Sequence, residues 1–598
     1  MAEQPEYLRN PAGYALEVSR TLGAAALKGQ KAWTSAMQAM WRGPMEMPVD
    51  PRDFGKAFLE FTQAWATSPQ KLLELNARWA QDYFGLWTMF FRRVAGEEVE
   101  PVATPAAGDR RFRSDSWNDR LAFDFLKQAY LVVGRQLQDL VAATPEMNPE
   151  SRAKVDFFVR QYVNAVSPSN FASTNPDVIA KTLATGGLNL LTGFSNLLDD
   201  LARGDGLVKH RSPADFELGR NIAATPGAVV FQNELMQLIQ YDPSTDKVAK
   251  RPILFIPPVV NKFYHFDLSP RTSFLKWLVD QGYTVFVISW VNPDARLASM
   301  GIDDYVGLGP LAAIDAIRDA TGEESVNVVS FCMGGTLSAA TLAWLAANGE
   351  GDRVASATMI ATLLDFTAMG DFSVFVSDAH IQAMRKYLEK RGFVDANDLT
   401  RLFSVVRAND QIWSPAVSHY LMGQESAPSD LLYWFADGAR IPERMLNDVN
   451  ANFVHGNKLR EPGAVTVGGV ALDLTKVTTP VYLVSLKDDH VAEWRGTYLG
   501  TQLFGGETHF LLGGSGHNAG TLSAPSANKH GYWFNEAPTP ADADAWLAGA
   551  KKYEGSWWPR WEQWLKTLSG GEVAARKVGS GKLKPIEPAP GSYVRMRS

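Results

Sequence analysis

Val326-Asn-Val-Val-Ser-Phe-Cys332-Met-Gly-Gly-Thr336 reads as a short apolar run, a turn built on a nucleophile, and two glycines opening a helix of small residues. This is the pattern of a nucleophile elbow, a strained strand-to-helix turn that lifts a reactive side chain above a sheet and aims a helix N-terminus at it. A thiol suits the position, because the positive end of a helix lowers a thiol's pKa. Cys332 is also the single cysteine of the chain. Glycine is usual two residues before the nucleophile, where backbone segments approach closely, and Ser330 stands there instead. A buried structural cysteine behind an ordinary strand-helix turn is the competing reading, so the elbow has to find partners elsewhere in the chain.

On both sides of this stretch, from Gly219 on, strand-like runs alternate with amphipathic helices. The runs are Ala228–Phe231, Ile253–Ile256, Thr284–Ile288, Val326–Val329, Thr358–Ile360 and Val481–Val484, and the helical stretches Ser273–Gln281, Leu311–Ala320 and Leu337–Ala347 lie between them. Such alternation predicts a mostly parallel sheet covered by helices on both faces, the α/β-hydrolase architecture in which an elbow sits. The catalytic domain is expected over residues 211–575. About residues 362–476 do not continue the alternation and include Asp371-Phe-Ser-Val-Phe-Val376 and Leu431-Leu-Tyr-Trp434. An insertion here falls over the C-terminal strand edge and is expected to act as a cap that shapes and gates the pocket. Residues 576–598 form a Pro-rich, extended tail.

Upstream, residues 1–93 are expected to be helical, with Leu72, Leu75, Trp79, Phe84, Trp87 and Phe91 forming one apolar stripe. The stripe suits packing on another helix or subunit, or adsorption to a lipid-like or polymer surface. Residues 94–109 are rich in Pro, Ala and acid and read as a linker. Residues 110–210 form a second helical block, in which Phe123, Leu126, Tyr130, Val133, Leu137 and Leu140 keep a helical period. The chain of 598 residues exceeds one ordinary domain. A net charge of −7 argues against nucleic acid as the main partner. One cysteine excludes an internal disulfide framework and fits a reducing compartment. The start, Met1 to Tyr7, has neither a basic nor an apolar leader region, and no apolar run approaches the roughly 20 residues of a spanning helix, so a cytoplasmic protein without a transmembrane segment is expected.

A cysteine nucleophile needs a base, and on this architecture the acid and then the histidine follow the nucleophile on loops after later strands. Val481–Val484 runs into Ser485-Leu-Lys-Asp-Asp489-His490, and Phe510-Leu-Leu512 into Gly513-Gly-Ser-Gly-His517-Asn-Ala-Gly520. Asp489 and His517 therefore stand where an acid and a base are required, with Asp488 a competing acid. The oxyanion donors are expected to be the backbone amides of Met333, directly after the nucleophile, and Val260, after the stiff Pro257-Pro258 turn. No metal-binding motif and no phosphate-cradling glycine loop is present in the sequence, so no metal and no cofactor are expected.

These residues resemble the class I polyhydroxyalkanoate synthases. The resemblance is carried by Pro257-Pro-Val-Val-Asn-Lys-Phe-Tyr264, Val285-Phe-Val-Ile-Ser-Trp-Val-Asn-Pro293, Phe331-Cys-Met-Gly-Gly335, Asp488-Asp-His490 with Trp494, Gly516-His-Asn-Ala-Gly520, Gly555-Ser-Trp-Trp-Pro559 and the Pro-Gly-Ser-Tyr-Val tail. It covers roughly residues 110 to 598. It implies polymerisation of (R)-3-hydroxyacyl-CoA, with short chains such as 3-hydroxybutyryl, into polyester with release of CoA. It further implies a homodimer lodged on cytoplasmic polyester granules, with Cys332 as the acyl-accepting nucleophile, His517 as base, Asp489 as acid, and Trp434 and His490 at the substrate pocket. Ser330, Asn518 and Phe435 depart from the family's usual residues, as do parts of the cap, which points to shifted substrate preference or activity. A thioesterase or esterase would share the triad, and a granule-associated paralogue of weak or no activity would share the helical stripe.

Overall fold

The computed structural model describes residues 9–41, 51–106, 108–203, 216–425 and 428–597. The chain divides into two units, Met1–Arg211 with Arg401–Pro428, and Ser212–Thr400 with Ser429–Ser598. The expected domain boundary at 210/211, like residues 1–8 and 42–50 of the first helical segment and 107 of the linker, lies outside the described residues.

The second unit is built on a sheet with eleven strands among the described residues. In chain order they are β1 (Gly227–Gln232), β2 (Met236–Tyr241), β3 (Ile253–Ile256), β4 (Val285–Trp290), β5 (Val326–Phe331), β6 (Val354–Ile360), β7 (Val481–Leu486), β8 (Thr508–Gly513), β9 (Tyr532–Phe534), β10 (Lys551–Tyr553) and β11 (Glu587–Pro588). They lie side by side as β10-β9-β8-β7-β6-β5-β3-β4-β2-β1-β11. The centre, β4-β3-β5-β6-β7-β8, is parallel, and the strands at both flanks pair antiparallel. This is the expected α/β-hydrolase architecture. Alternate side chains enter two separate cores: Leu254, Phe286, Ile288 and Val328 on one face, Phe255, Val285, Val287 and Val329 on the other. Burial on both faces is why these strands read as continuous apolar runs. Because β3 is flanked by β4 on one side and β5 on the other, chain direction across the sheet reverses there. The loops after β3 and β5 therefore open a crevice at the carboxyl ends of the strands, where open parallel sheets place their ligands.

Strand β2 was not foreseen, because Gln237 and Gln240 interrupt its apolar pattern. Both are buried and both are satisfied by the C-terminal segment: the Gln237 amide donates to Glu587 and Ser592, and that of Gln240 to the Arg576 carbonyl. The tail is thus extended but docked, with β11 pairing Pro588 opposite Ala228 and Glu587 opposite Val229 at the edge of the sheet. Residues 361–480 separate β6 from β7, the position expected for the insertion. Residues 401–428 of that insertion belong to the first unit.

The first unit contains α1 (Pro11–Trp41), α2 (Pro51–Ala66), α3 (Pro69–Val94), α4 (Leu121–Ala142), α5 (Pro149–Ala165), α6 (Pro176–Thr185) and α7 (Leu188–Arg203). Helix α1 packs on α7, α2 on α5, and α4 on both α3 and α5. Residues 95–106 and 108–109 form no helix or strand and are held to α4 through the Ala103 amide, which donates to Gln128 Oε1 at 2.8 Å. The single stripe expected on α3 does not exist. Leu75, Leu86 and Met89 are buried, whereas Phe84, Trp87 and Phe91 are 75%, 49% and 63% exposed. The five-residue step from Trp79 to Phe84 turns the side chain about 140° around the helix, onto another face.

Candidate active site

Strand β5 ends at Phe331 and helix α8 (Met333–Ala347) begins two residues later, leaving Cys332 alone in the turn with φ 51° and ψ −125°. A non-glycine residue there costs about 1–3 kcal/mol and persists only where its surroundings enforce it. They do so from several sides. The Cys332 amide donates to the Ile360 carbonyl of β6 at 2.9 Å, and the Cys332 carbonyl accepts from the Gly335 amide at 2.8 Å and from Thr362 Oγ1 at 3.2 Å. A Cβ on Gly334 would fall 2.3 Å from the Ile256 carbonyl oxygen and 2.7 Å from that of Pro257, and one on Gly335 would fall 2.0 Å from Thr362 Oγ1. The two glycines therefore let α8 seat against the loop after β3 and the end of β6. Ser330 does not disturb this arrangement, since its hydroxyl turns sideways and donates to the Thr358 carbonyl of β6 at 3.0 Å.

Asp489 and His517 meet. Asp489 Oδ2 lies 2.7 Å from His517 Nδ1, while Asp489 Oδ1 accepts from the Val491 and Ala492 amides at 2.7 and 2.9 Å. With one oxygen fixed by two backbone donors, the other can only face the imidazole. Asp488 is exposed on the same loop and contributes no such contact. His517 opens a short helix, His517–Thr521, whose Gly520 and Thr521 carbonyls accept from the indole N–H groups of the buried Trp557 and Trp558 at 2.9 and 3.0 Å. Burial disfavours a charged ring at His517, but the Asp489 charge and hydrogen bond, together with a hydrogen bond to Cys332, raise its pKa to about 10. The imidazolium is thus the favoured form at neutral pH, placed between a carboxylate and a sulfur.

Met333 is the first residue of α8, so its amide has no carbonyl four residues back within the helix. Val260 is half-buried in the loop whose Ile256 and Pro257 carbonyls crowd Gly334, so the two expected amide donors belong to segments in direct contact. Trp434 lies on the short helix Asp430–Ala436 of the insertion and is buried, its indole N–H donating to the Lys262 carbonyl at 2.8 Å. Its ring stacks on His265 with centroids 4.2 Å apart, so it forms a covered wall rather than an open pocket face. His490 is half-buried beside Asp489. Among the described residues no group of three or more His, Cys, Asp and Glu side chains is placed to hold a metal. The support given by Trp557 and Trp558 was not foreseen, although the Gly555-Ser-Trp-Trp-Pro559 stretch that carries it stood out, and nothing in the sequence marked His265.

Comparison with known proteins places this geometry. Residues 108–278 match the family described as Poly-beta-hydroxybutyrate polymerase (PhaC) N-terminus, and residues 265–521 match the alpha/beta hydrolase fold. A poly(3-hydroxyalkanoate) polymerase subunit PhaC of Rhizobium meliloti (strain 1021) is 39% identical over 601 residues, covering 100% of this chain and 97% of that protein. A poly(3-hydroxyalkanoate) polymerase of Methylorubrum extorquens is 39% identical over 99% of this chain and 98% of its own length. The corresponding polymerase subunit of Cupriavidus necator is 38% identical over 89% of each.

Proposed function

The chain belongs to the poly(3-hydroxyalkanoate) polymerase family, and on that premise we propose that it polymerises (R)-3-hydroxyacyl-CoA, with short acyl groups such as 3-hydroxybutyryl, into polyester with release of CoA. The observation that carries this reading is the elbow cysteine, held at φ 51° and contributing to the raised pKa of an imidazole that Asp489 holds at 2.7 Å. Cys332 sulfur attacks the thioester carbonyl, a carbon–sulfur bond forms, and the bond to CoA breaks, with His517 supplying the proton to the leaving sulfur. The Met333 and Val260 amides stabilise the oxyanion. Attacking and leaving sulfurs are of similar basicity, so the acyl group stays activated on Cys332 for the next hydroxyl. His517 then takes the proton of that hydroxyl as the ester bond forms and the bond to Cys332 sulfur breaks, the lengthened chain returns from CoA to Cys332 by the first step, and Asp489 holds the ring in the required tautomer. The insertion carrying Trp434 keeps water from the acyl-enzyme, and His490 borders the pocket. No cofactor enters either step. The exposed Phe84, Trp87 and Phe91 give the first unit a face for the polyester granule, and the working form is a homodimer in the cytoplasm.

The test is to incubate purified protein with (R)-3-hydroxybutyryl-CoA, follow CoA release and identify the product. Polymer supports the reading. Free hydroxy acid alone would replace it with a thioesterase, and no CoA release would leave a non-catalytic granule-associated role.

A further inference from the structure

His265 is a second imidazole in this region, and the chemistry above makes no use of it. It lies on the helical turn Phe263–Asp267 that follows the Pro257-Pro258 loop, is 1% exposed, and has no hydrogen-bond partner at either ring nitrogen. Its neighbours are aromatic: Trp434 stacks on it at 4.2 Å between centroids, Phe266 lies at 4.8 Å and Phe331 at 5.4 Å. Phe331 also lies 4.7 Å from the His517 ring and immediately precedes Cys332. The unpaired imidazole therefore stands one ring away from the base, in a wall that is otherwise apolar.

A neutral imidazole carries one N–H donor and one acceptor. Burying both without partners is unfavourable enough that native proteins seldom retain such a group unless a partner arrives later. Burial, with His517 adding to it, lowers the His265 pKa to about 3. The ring is therefore neutral at neutral pH, and it suits a neutral oxygen better than a phosphate or carboxylate. One face of the ring is covered by Trp434 on the helix Asp430–Ala436 of the insertion.

We propose that His265 is a substrate-positioning residue of the polymerase site, whose ring N–H donates a hydrogen bond to a neutral oxygen of a hydroxyacyl unit, either entering or already in the chain. The inference rests on the polymerase reading. Two oxygens share the required chemistry, the 3-hydroxyl of the entering acyl group and the ester carbonyl of the growing chain.

The test compares wild type with His265→Phe, which keeps the aromatic stack without nitrogens, and His265→Asn, which keeps a donor. Single-turnover acylation of Cys332 is measured with (R)-3-hydroxybutyryl-CoA and with butyryl-CoA, alongside steady-state elongation and melting temperature. If the 3-hydroxyl is the partner, the preference for the hydroxylated thioester falls about 10-fold in His265→Phe. If the ester carbonyl is the partner, acylation is unchanged and elongation falls about 10-fold. In both cases the melting temperature of His265→Phe stays level or rises, and His265→Asn recovers part of the loss. Wild-type preference and elongation in a folded His265→Phe would overturn the proposal, as would an equal fall for both thioesters accompanied by a lower melting temperature. Should His265→Phe fail to fold, wild-type selectivity and elongation in His265→Leu, which also lacks a donor, or an equal loss in His265→Asn for both thioesters, would overturn it. Free hydroxy acid as the wild-type product would end the polymerase reading, whereas the acylation preference would still report on His265.

Discussion

The elbow after β5 and the helix α3 are both rich in apolar side chains, and they treat them in opposite ways. At the elbow most side chains of α8 are buried, the turn residue is locked by hydrogen bonds with β6 and α8, and the glycines that follow have no room for a methyl group. On α3 the rings of Phe84 and Phe91 stand mostly in solvent, and Trp87, half-exposed, packs on Phe125 at 4.9 Å between centroids and stacks on Phe91 at 5.9 Å. A reaction that needs a sulfur placed within a fraction of an ångström requires surroundings that over-determine it. A face that meets a soft, variable surface requires only exposed area.

The largest expected effect falls on the locked region. His517→Gln should keep the fold, seen by circular dichroism, and lower turnover about 10²- to 10⁴-fold, the usual contribution of a general base; full activity would mean that another group serves as base. Next comes Gly334→Ala, which drives a methyl group to 2.3 Å from the Ile256 oxygen and should destabilise the second unit by about 1–3 kcal/mol. Unchanged melting and turnover would show that the loop after β3 yields, and would remove the argument for a fixed oxyanion pair.

A smaller effect follows from the charge at His517. Its pKa is raised from the ordinary 6.5 to about 10 in the folded protein, so the stability it contributes is fully present below pH 6.5 and is lost as pH rises through 10. Melting temperature should therefore decline over that interval, and Asp489→Asn should flatten the decline. An equally steep profile in Asp489→Asn would assign it to other groups. The smallest effect on stability belongs to the open region. Phe84→Ser and Phe91→Ser together should change stability by no more than about 1 kcal/mol and leave turnover of soluble substrate intact, while attachment to polyester particles, measured by co-sedimentation, falls. A large loss of stability would mean that this face is packing surface after all.

The same contrast accounts for what could be read from residues alone. The parallel core was legible because strands buried on both faces are apolar without interruption, and the order Cys332, Asp489, His517 was legible because each follows a recognisable strand. The choice between Asp488 and Asp489 was not, because it depends on a turn that sets the Val491 and Ala492 amides against one of the two carboxylates. Strand β2 was hidden by Gln237 and Gln240, whose partners come from residues 336 and more positions away. The α3 stripe was misread because spacing of three to five residues was counted as one face, although a step of five leaves it. His265 carried no signal, since an unpaired imidazole is visible only when its neighbours are known.

The central claim is that Cys332 carries the growing chain. Because it is the only thiol in the protein, rapid quenching during turnover of (R)-3-hydroxybutyryl-CoA, followed by peptide mass spectrometry, tests it directly. The account predicts the Cys332 peptide in a ladder of masses, each step one hydroxybutyryl unit, with the ladder absent after alkylation and turnover abolished. Polymer formed at the full rate by protein whose Cys332 is completely alkylated would contradict it.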